Sequence, residues 1–189
     1  MSRSGMIRII AGQWRGRKLI VPDIIGLRPT PDRVRETLFN WLNPYIPSAF
    51  CLDLFTGSGA LGVESLSRGA LHVTLVDQSN EVVSLLQKQM QEWGASNATI
   101  YRAQIPEQLR KSPHRFDIVF LDPPYQANLL LPCCFYLEEH DFLSNSAYIY
   151  LEAQNAISDN ELPSNWQLLK IKQAGHVYYH LAKRVKPHE

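Results

Sequence analysis

Residues 50–68 combine a short apolar strand, a glycine-rich turn and a helix, and this combination restricts the chain to few folds. The strand spans residues 50–55, and Gly57, Gly59 and Gly62 of the following turn have the spacing G-x-G-x-x-G. Glycines at these positions let the backbone approach a ligand and let the helix pack against the strand. We therefore expect a ligand-binding turn at the carboxyl end of a buried strand.

Strands and helices alternate through the rest of the chain. The other predicted elements are strands at 73–76, 98–102, 116–121 and 148–151, helices at 80–93 and 127–139, and a short helix near 106–111. Residues 166–172 and 177–183 flank Ala174 and Gly175 and predict an antiparallel hairpin. The fold class is α/β, a mostly parallel doubly wound sheet with an antiparallel edge. Ligands bind such sheets outside the carboxyl ends of the strands.

The composition is that of an ordinary globular domain. The chain has 189 residues, of which 45% are hydrophobic and 20% are charged. Apolar runs are far shorter than the roughly 20 residues of a membrane span, and the first residues lack the apolar core of a signal peptide. We expect a cytoplasmic protein with no membrane partner. Three cysteines do not form a metal-binding pattern or a disulfide framework, so we expect buried thiols and no metal site.

Positive charge is concentrated at the amino terminus. Residues 1–35 contain eight Lys or Arg residues and two Asp residues, a net charge of +6 within a chain of net charge +1. A basic head on a mildly acidic body favours a partner with a phosphate backbone. A solvated basic arm without a partner is the alternative.

Two β-prone segments, 7–11 and 17–21, predict an amino-terminal hairpin. Trp14 lies between them among basic residues, a mixture typical of a surface that contacts RNA. The same tryptophan is equally consistent with an anchor of the hairpin to the core. We divide the chain into this basic hairpin, residues 1–27, and a main domain, residues 28–189.

A helix at residues 31–42 leads the main domain. Thr30 is a candidate cap, Pro31 suits the first turn, and Asp32 complements the positive end of the helix dipole. We expect Arg33 and Glu36 to pair on its side. The expected buried stripe is Val34, Leu38, Trp41 and Leu42.

Acidic residues at the strand ends indicate the ligand. Asp77 ends the second strand of the main sheet 20 residues after Gly57, where a carboxylate contacts ribose hydroxyls. These features predict that the chain binds an adenosine-containing cofactor, either a dinucleotide or S-adenosylmethionine. Asp53 lies inside the strand before the glycine turn, where an anion would repel a pyrophosphate but would attract an ammonium group. Asp53 therefore favours S-adenosylmethionine. Gln104, at a third strand end, is a candidate contact to the adenine or an exposed loop residue.

The segment Asp122-Pro123-Pro124-Tyr125 follows a strand that begins at Phe116. The two prolines lack backbone N–H groups, so their carbonyls and the Asp122 carboxylate form a cluster of acceptors. The Tyr125 ring can stack on a planar group. This corner suits a nucleobase that carries an exocyclic amine, although a turn with a proline stop is the alternative.

These motifs, in this order, resemble Rossmann-like class I S-adenosylmethionine-dependent methyltransferases that modify exocyclic amines, which have a seven-stranded sheet. Three further segments, 8–12, 15–17 and 28–30, narrow the resemblance to the RsmD family. That resemblance implies methyl transfer from S-adenosylmethionine to N2 of guanine 966 in 16S ribosomal RNA. It implies a substrate in the small ribosomal subunit, either assembled or still assembling. We expect the protein to be a monomer.

The resemblance also assigns roles to residues. Those assigned to the cofactor are Asp53, Thr56, Gly57, Gly59, Asp77, Gln104 and Asp122, although relatives commonly have Asp or Asn where this chain has Gln104. Those assigned to catalysis are Asp122, Pro123, Pro124 and Tyr125. Those expected to contact RNA are Arg8, Trp14, Arg15, Arg17, Lys18, Arg28 and Arg33.

Three other functions remain open from the sequence. The Asp122 corner is shared with enzymes that methylate adenine N6 or cytosine N4. The glycine turn and Asp77 also suit an NAD-dependent oxidoreductase. An RNA-binding module that keeps the fold without the chemistry is the third.

Overall fold

A computed structural model describes residues 5–22 and 30–185 of the chain. Its strands are β1 (Met6–Arg8), β2 (Lys18–Ile20), β3 (Phe50–Leu54), β4 (His72–Asp77), β5 (Ala98–Arg102), β6 (Phe116–Leu121), β7 (Leu143–Ala153), β8 (Trp166–Ala174) and β9 (Val177–Arg184). Its helices are α1 (Asp32–Leu42), α2 (Ala60–Ser67), α3 (Asn80–Glu92) and α4 (Leu130–Glu139).

The main sheet has seven strands in the order β5-β4-β3-β6-β7-β9-β8. The first five run parallel, whereas β9 pairs antiparallel with both β7 and β8. Two clusters of buried side chains cover the sheet. This architecture confirms the predicted mostly parallel sheet with its carboxy-terminal hairpin. Among the described residues, no helix is both long and apolar enough to span a membrane.

Local differences from the sequence prediction have identifiable causes. The helix predicted at 127–139 begins at Leu130, because Asn128 has a left-handed backbone (φ +50°) that separates α4 from a 3-10 turn at Tyr125–Ala127. Residues 105–108 form turns, in place of the short helix expected near 106–111. Strand β7 starts at Leu143, earlier than the predicted strand, because its first residues continue beyond a bulge in its pairing with β6.

Helix α1 matches the predicted position but differs in detail. Pro31 occupies the cap position without a side-chain hydrogen bond, so the expected cap by Thr30 is wrong. Among the described residues, the ion pair within α1 joins Asp32 and Arg35 at 2.7 Å, and the expected pair of Arg33 and Glu36 is absent. Arg35 is fully buried. The buried stripe includes Phe39 in addition to Val34, Leu38 and Leu42, while Trp41 is only partly buried.

The amino-terminal hairpin has two strands of three residues each, β1 and β2. They are shorter than predicted because the backbone N–H groups of Ile10 and Ala11 donate to the side chain of Glu64 in α2. Ile7 and Leu19 pair across the hairpin and are buried in the same cluster as residues of α1 and α2. The hairpin therefore packs on the main sheet's helical layer, and the division at residue 27 stays a prediction.

Polar side chains of two helices fasten the hairpin. Ser67 of α2 accepts a hydrogen bond from the N–H of Trp14 at 3.0 Å and donates to the carbonyl of Ala11 at 2.5 Å. Gln89 of α3 accepts from the N–H of Ile20 and donates back to its carbonyl. These partners satisfy backbone groups that burial would otherwise leave unpaired.

Candidate active site

The candidate site lies at the carboxyl ends of the central strands. Asp53 is in β3, Asp77 ends β4, and Asp122 directly follows β6. Strand β3 pairs with both β4 and β6, so the three carboxylates lie together at the carboxyl ends of these strands. The structure thus brings together three predicted site residues that are far apart in sequence.

The turn between β3 and α2 has the backbone that its glycines allow. Gly57 and Gly59 have φ values of +52° and +76°, in the left-handed region that glycine adopts at little cost. A side chain at Gly59 would place Cβ 2.5 Å from Leu86 Cδ2. A Cβ at Gly62 would lie 2.9 Å from Asp53 Oδ2. Glycine at position 62 therefore permits α2 to approach the Asp53 carboxylate.

Asp53 is buried and hydrogen-bonded through one oxygen. The Thr56 hydroxyl and the Gly62 N–H both donate to Oδ2, at 2.7 and 2.9 Å. Burial raises the pKa of Asp53 to about 7, while these two donors oppose the rise and nearby Asp77 adds to it. A cationic group beside this carboxylate would lower its pKa again and stabilise the ionised form.

Asp77 organises the glycine turn and the start of α3. The N–H of Gly57 donates to Oδ2 at 3.0 Å, and the N–H of Ser79 donates to Oδ1 at 2.9 Å. An ionised carboxylate has about four lone-pair positions, so each oxygen of Asp77 can accept one more donor. Ribose hydroxyls are suitable donors.

Gln104 follows β5 and is exposed. Its backbone N–H donates to the Gln108 side chain at 2.9 Å. Its contact with an adenine stays a prediction.

The corner after β6 has the expected composition of acceptors. Pro123 is buried and Pro124 is exposed. Burial raises the pKa of Asp122 well above its usual value, and the carboxylates of Glu152 and Asp53 raise it further. Tyr125 keeps 36% of its surface exposed, and its hydroxyl donates to Glu152 Oε1 at 3.2 Å. The ring is therefore accessible, and the hydrogen bond of its hydroxyl to Glu152 restricts its orientation.

Glu152 belongs to the candidate site by its contacts, and the sequence prediction did not include it. It also accepts a hydrogen bond from the Tyr150 hydroxyl, at 3.0 Å on Oε2. Burial raises the pKa of Glu152 as well. The available signal was its position: it is the first acidic residue after the buried run of β7, as Asp122 is after β6. Strand order alone makes these two ends adjacent.

The donor set fits a positively charged cofactor. Burial is the main cause of the raised pKa values of Asp53, Asp122 and Glu152. Three carboxyl groups therefore lie at this end of the sheet, and no matching cation lies beside them among the described residues. A ligand with ammonium and sulfonium groups would compensate them, whereas a pyrophosphate would not. Within residues 5–22 and 30–185, no cluster of His, Cys, Asp and Glu side chains is arranged to hold a metal ion. Cys51, Cys133 and Cys134 are buried free thiols, as expected.

Five basic residues of the hairpin and of α1 are exposed, and together they are named the basic surface. Arg8 and Lys18 are paired across β1 and β2, and their side chains are exposed together with those of Arg15, Arg17 and Arg33. Arg28 lies outside the described residues. The structure corrects the expectation for Trp14: its ring is only 7% exposed and lies 5.3 Å from the Trp93 ring, edge to face. A ring packed in this way anchors the hairpin and is not available to stack on a base.

Relatives of known sequence and structure match nearly the whole chain. Ribosomal RNA small subunit methyltransferase D of Escherichia coli K12 is 48% identical over 97% of this chain and 92% of its own length. The protein of the same name from Haemophilus influenzae is 47% identical over 94% of this chain and 93% of its own. The structure of the putative methyltransferase yhhF from E. coli superposes with a TM-score of 0.87, at 46% identity, covering 97% of this chain and 100% of that one.

A more distant structure shares the fold alone. It is the Thermus thermophilus 16S rRNA N2 G1207 methyltransferase in complex with AdoMet and guanosine. The two chains are 20% identical and superpose with a TM-score of 0.72, and the match covers 97% of this chain and 50% of that one. A family model described as Conserved hypothetical protein 95 matches residues 7–183. With that match and the two relatives above, the chain belongs to the RsmD family of ribosomal RNA small subunit methyltransferases.

Proposed function

We propose that the chain transfers a methyl group from S-adenosylmethionine to N2 of a guanine in 16S ribosomal RNA, at position 966. The names of its close relatives support methylation of small-subunit ribosomal RNA. The observation that carries the proposal is the placement of the Asp122 corner beside Asp53 and the glycine turn at one edge of the sheet. A site for an exocyclic amine thereby adjoins a site for a cationic cofactor.

The cofactor site uses carboxylates and backbone groups of this chain. Asp53 would hold the ammonium of the methionine part, and Asp77, which accepts from the N–H of Gly57, would also accept from the ribose hydroxyls. Thr56 and Gly62 keep Asp53 oriented through its Oδ2. When bound, S-adenosylmethionine would supply an electrophilic methyl group on its sulfonium, and the S–CH3 bond would break to release S-adenosylhomocysteine. The amine would lose one proton, to Asp122 or to water.

The base site raises the reactivity of a weak nucleophile. The lone pair of guanine N2 is delocalised into the ring, so the amine must be positioned and polarised to react. Acceptance of its two hydrogens by the Asp122 carboxylate and the Pro123 carbonyl directs the lone pair towards the methyl group. The base must leave its stack to reach this corner, and Tyr125 stacks on it there. Such stacking is worth roughly 1–3 kcal/mol per base.

The exposed residues of the basic surface supply contacts to the RNA backbone. Arg8, Arg15, Arg17, Lys18 and Arg33 would neutralise phosphates without reading sequence. The protein would act in the cytoplasm as a monomer on a small subunit or its assembly intermediate.

Mass analysis of small-subunit RNA tests the proposed function. Cells that lack this protein should yield RNA without a single methyl group on one guanine, and the wild-type gene should restore it. A complement with Asp122→Ala should not restore it. An unchanged RNA mass in the deletion strain, or a missing methyl on adenine or cytosine, would contradict the proposal.

A further inference from the structure

The Asp122 corner recognises an amine, and three nucleobases carry one. Adenine N6, cytosine N4 and guanine N2 can each donate two hydrogens to the Asp122 carboxylate and the Pro123 carbonyl. They differ at the ring nitrogen beside the amine on the pairing edge. That nitrogen is N1–H, a donor, in guanine, but it carries a lone pair in adenine (N1) and in cytosine (N3). A residue that selects guanine should therefore present an acceptor next to the corner.

Glu152 lies at that position. Leu121 of β6 pairs with Leu151 of β7, so the next residues, Asp122 just after β6 and Glu152 near the end of β7, lie on neighbouring strands, which are typically about 4.8 Å apart. Burial raises the pKa of Asp122, and the Glu152 carboxylate raises it further, which agrees with this adjacency. Glu152 lines a cavity of about 320 Å³ together with Pro123, Pro124 and Tyr125. The carboxylate therefore faces the same space as the proline corner.

Two tyrosines fix the orientation of Glu152. The Tyr125 hydroxyl donates to Oε1 and the Tyr150 hydroxyl donates to Oε2, at 3.2 and 3.0 Å. Tyr150 is fully buried and comes from the same strand as Glu152. Each carboxylate oxygen has a further lone pair after these bonds, so Glu152 can accept another donor.

We infer that Glu152 determines the choice of base by accepting a hydrogen bond from N1–H of the target guanine. Adenine or cytosine in the same orientation would place a ring lone pair against the carboxylate, which is repulsive. This inference rests on the proposed function and goes beyond it, because it assigns guanine selection to a residue outside the shared Asp122 motif. A purely structural Glu152 would instead only hold Tyr125 in place.

RNA that carries 2-aminopurine at the target position separates these roles. This base keeps the amine at C2 but has a lone pair at N1. We compare kcat/KM for guanine and 2-aminopurine in ligated small-subunit RNA, in the form that wild type methylates. A hydrogen bond to a charged group is worth about 1.5–3 kcal/mol, so wild type should prefer guanine by roughly 10- to 100-fold.

Glu152→Gln should reduce that preference, because the amide can donate to the N1 lone pair of 2-aminopurine. The ratio of the two kcat/KM values should fall by at least about tenfold. Glu139→Gln makes the same chemical change at an exposed site at the end of α4 and should keep the wild-type ratio. Tyr125→Phe removes the hydroxyl contact and should slow both substrates while preserving the preference for guanine.

Each outcome decides the inference. It is overturned if wild type methylates both RNAs equally, which needs no variant, or if Glu152→Gln retains the full preference. A folded Glu152→Gln that is inactive on both RNAs also overturns it, since a selective contact leaves 2-aminopurine reactive. If wild type transfers no methyl to the guanine RNA in any form, the proposed function itself fails and the inference falls with it.

Discussion

Glu64 accepts a hydrogen bond of 2.8 Å from the backbone N–H of Ile10, across 54 residues of sequence. The carboxylate is fully buried in α2 and also accepts from Ala11 at 3.0 Å and from Arg68 at 2.8 Å. The guanidinium of buried Arg35 lies 3.6 Å away. Glu64 thus joins the amino-terminal hairpin, α1 and α2 through one buried charge.

Replacement of Glu64 should destabilise the protein strongly. Glu64→Gln leaves Arg35 without its buried counter-charge and turns an amide towards backbone donors. Loss of one partner of a buried ion pair typically costs about 3–5 kcal/mol. Thermal unfolding followed by circular dichroism measures the effect, and Glu36→Gln, an exposed change in α1, is the control. Equal midpoints for the two variants would contradict this role of Glu64.

Replacement of Asp77 should weaken cofactor binding. Asp77→Ala removes the acceptor for Gly57 and Ser79 and the proposed contact to the ribose. Charged hydrogen bonds are worth about 1.5–3 kcal/mol each, so Kd for S-adenosylmethionine should rise by about tenfold or more. Calorimetric titration measures Kd, with the exposed Glu81→Gln of α3 as control. An unchanged Kd would remove Asp77 from the site.

Asp53 should make the stability of the ligand-free protein depend on pH. Burial raises the pKa of Asp53 from 3.8 to about 7, so the folded state keeps a proton that the unfolded chain releases near pH 4. The stability contributed by this group is therefore greatest below pH 4 and decreases as pH rises towards 7. Denaturant unfolding at pH 5, 6 and 7 should show a smaller decrease in Asp53→Asn than in wild type. Parallel curves would contradict the assignment.

The same carboxyl group should couple cofactor binding to proton release. A bound cation favours ionised Asp53, so affinity for S-adenosylmethionine should increase from pH 6 to pH 8 in wild type. Titration in buffers of different ionisation enthalpy measures the protons released. Asp53→Asn should bind more weakly and release fewer protons. Equal proton release by both proteins would show that Asp53 does not face the cation.

The exposed basic surface should set the salt dependence of RNA binding. Arg15→Glu combined with Lys18→Glu removes two phosphate contacts. The negative slope of log K against log salt should therefore become shallower, by about 1.4–1.8. Filter binding at several salt concentrations measures this slope. Lys170→Glu, an exposed change in the edge strand β8, should leave it unchanged. An unchanged slope in the double variant would place the RNA contact elsewhere.

Periodicity and turn chemistry were sufficient to predict the sheet, its antiparallel edge and the grouping of three carboxylates at the candidate site. Asp53, Asp77 and Asp122 were recognisable because each interrupts or ends an apolar strand. Parallel strands bring their carboxyl ends together whatever their separation in sequence. The grouping of these three carboxylates could therefore be predicted from local patterns.

Residues buried by long-range docking could not be predicted in this way. Arg35, Glu64 and Gln89 occupy helices, where charged and polar side chains usually face water. Only the packing of the hairpin against α1, α2 and α3 buries them. Trp14 was ambiguous for the same reason, since its environment depends on Trp93 rather than on its neighbours in sequence. The proximity of Glu152 to Asp122 could be recognised only from the pairing of β6 with β7.

Methyl transfer in vitro tests the central claim most directly. Purified protein is incubated with methyl-labelled S-adenosylmethionine and small subunits or small-subunit RNA from cells that lack it, and the RNA is digested to nucleosides. We predict label in N2-methylguanosine with wild type, and almost none with Asp122→Ala, which should still bind the cofactor. Label on adenosine or cytidine, or equal transfer by Asp122→Ala, would contradict the account.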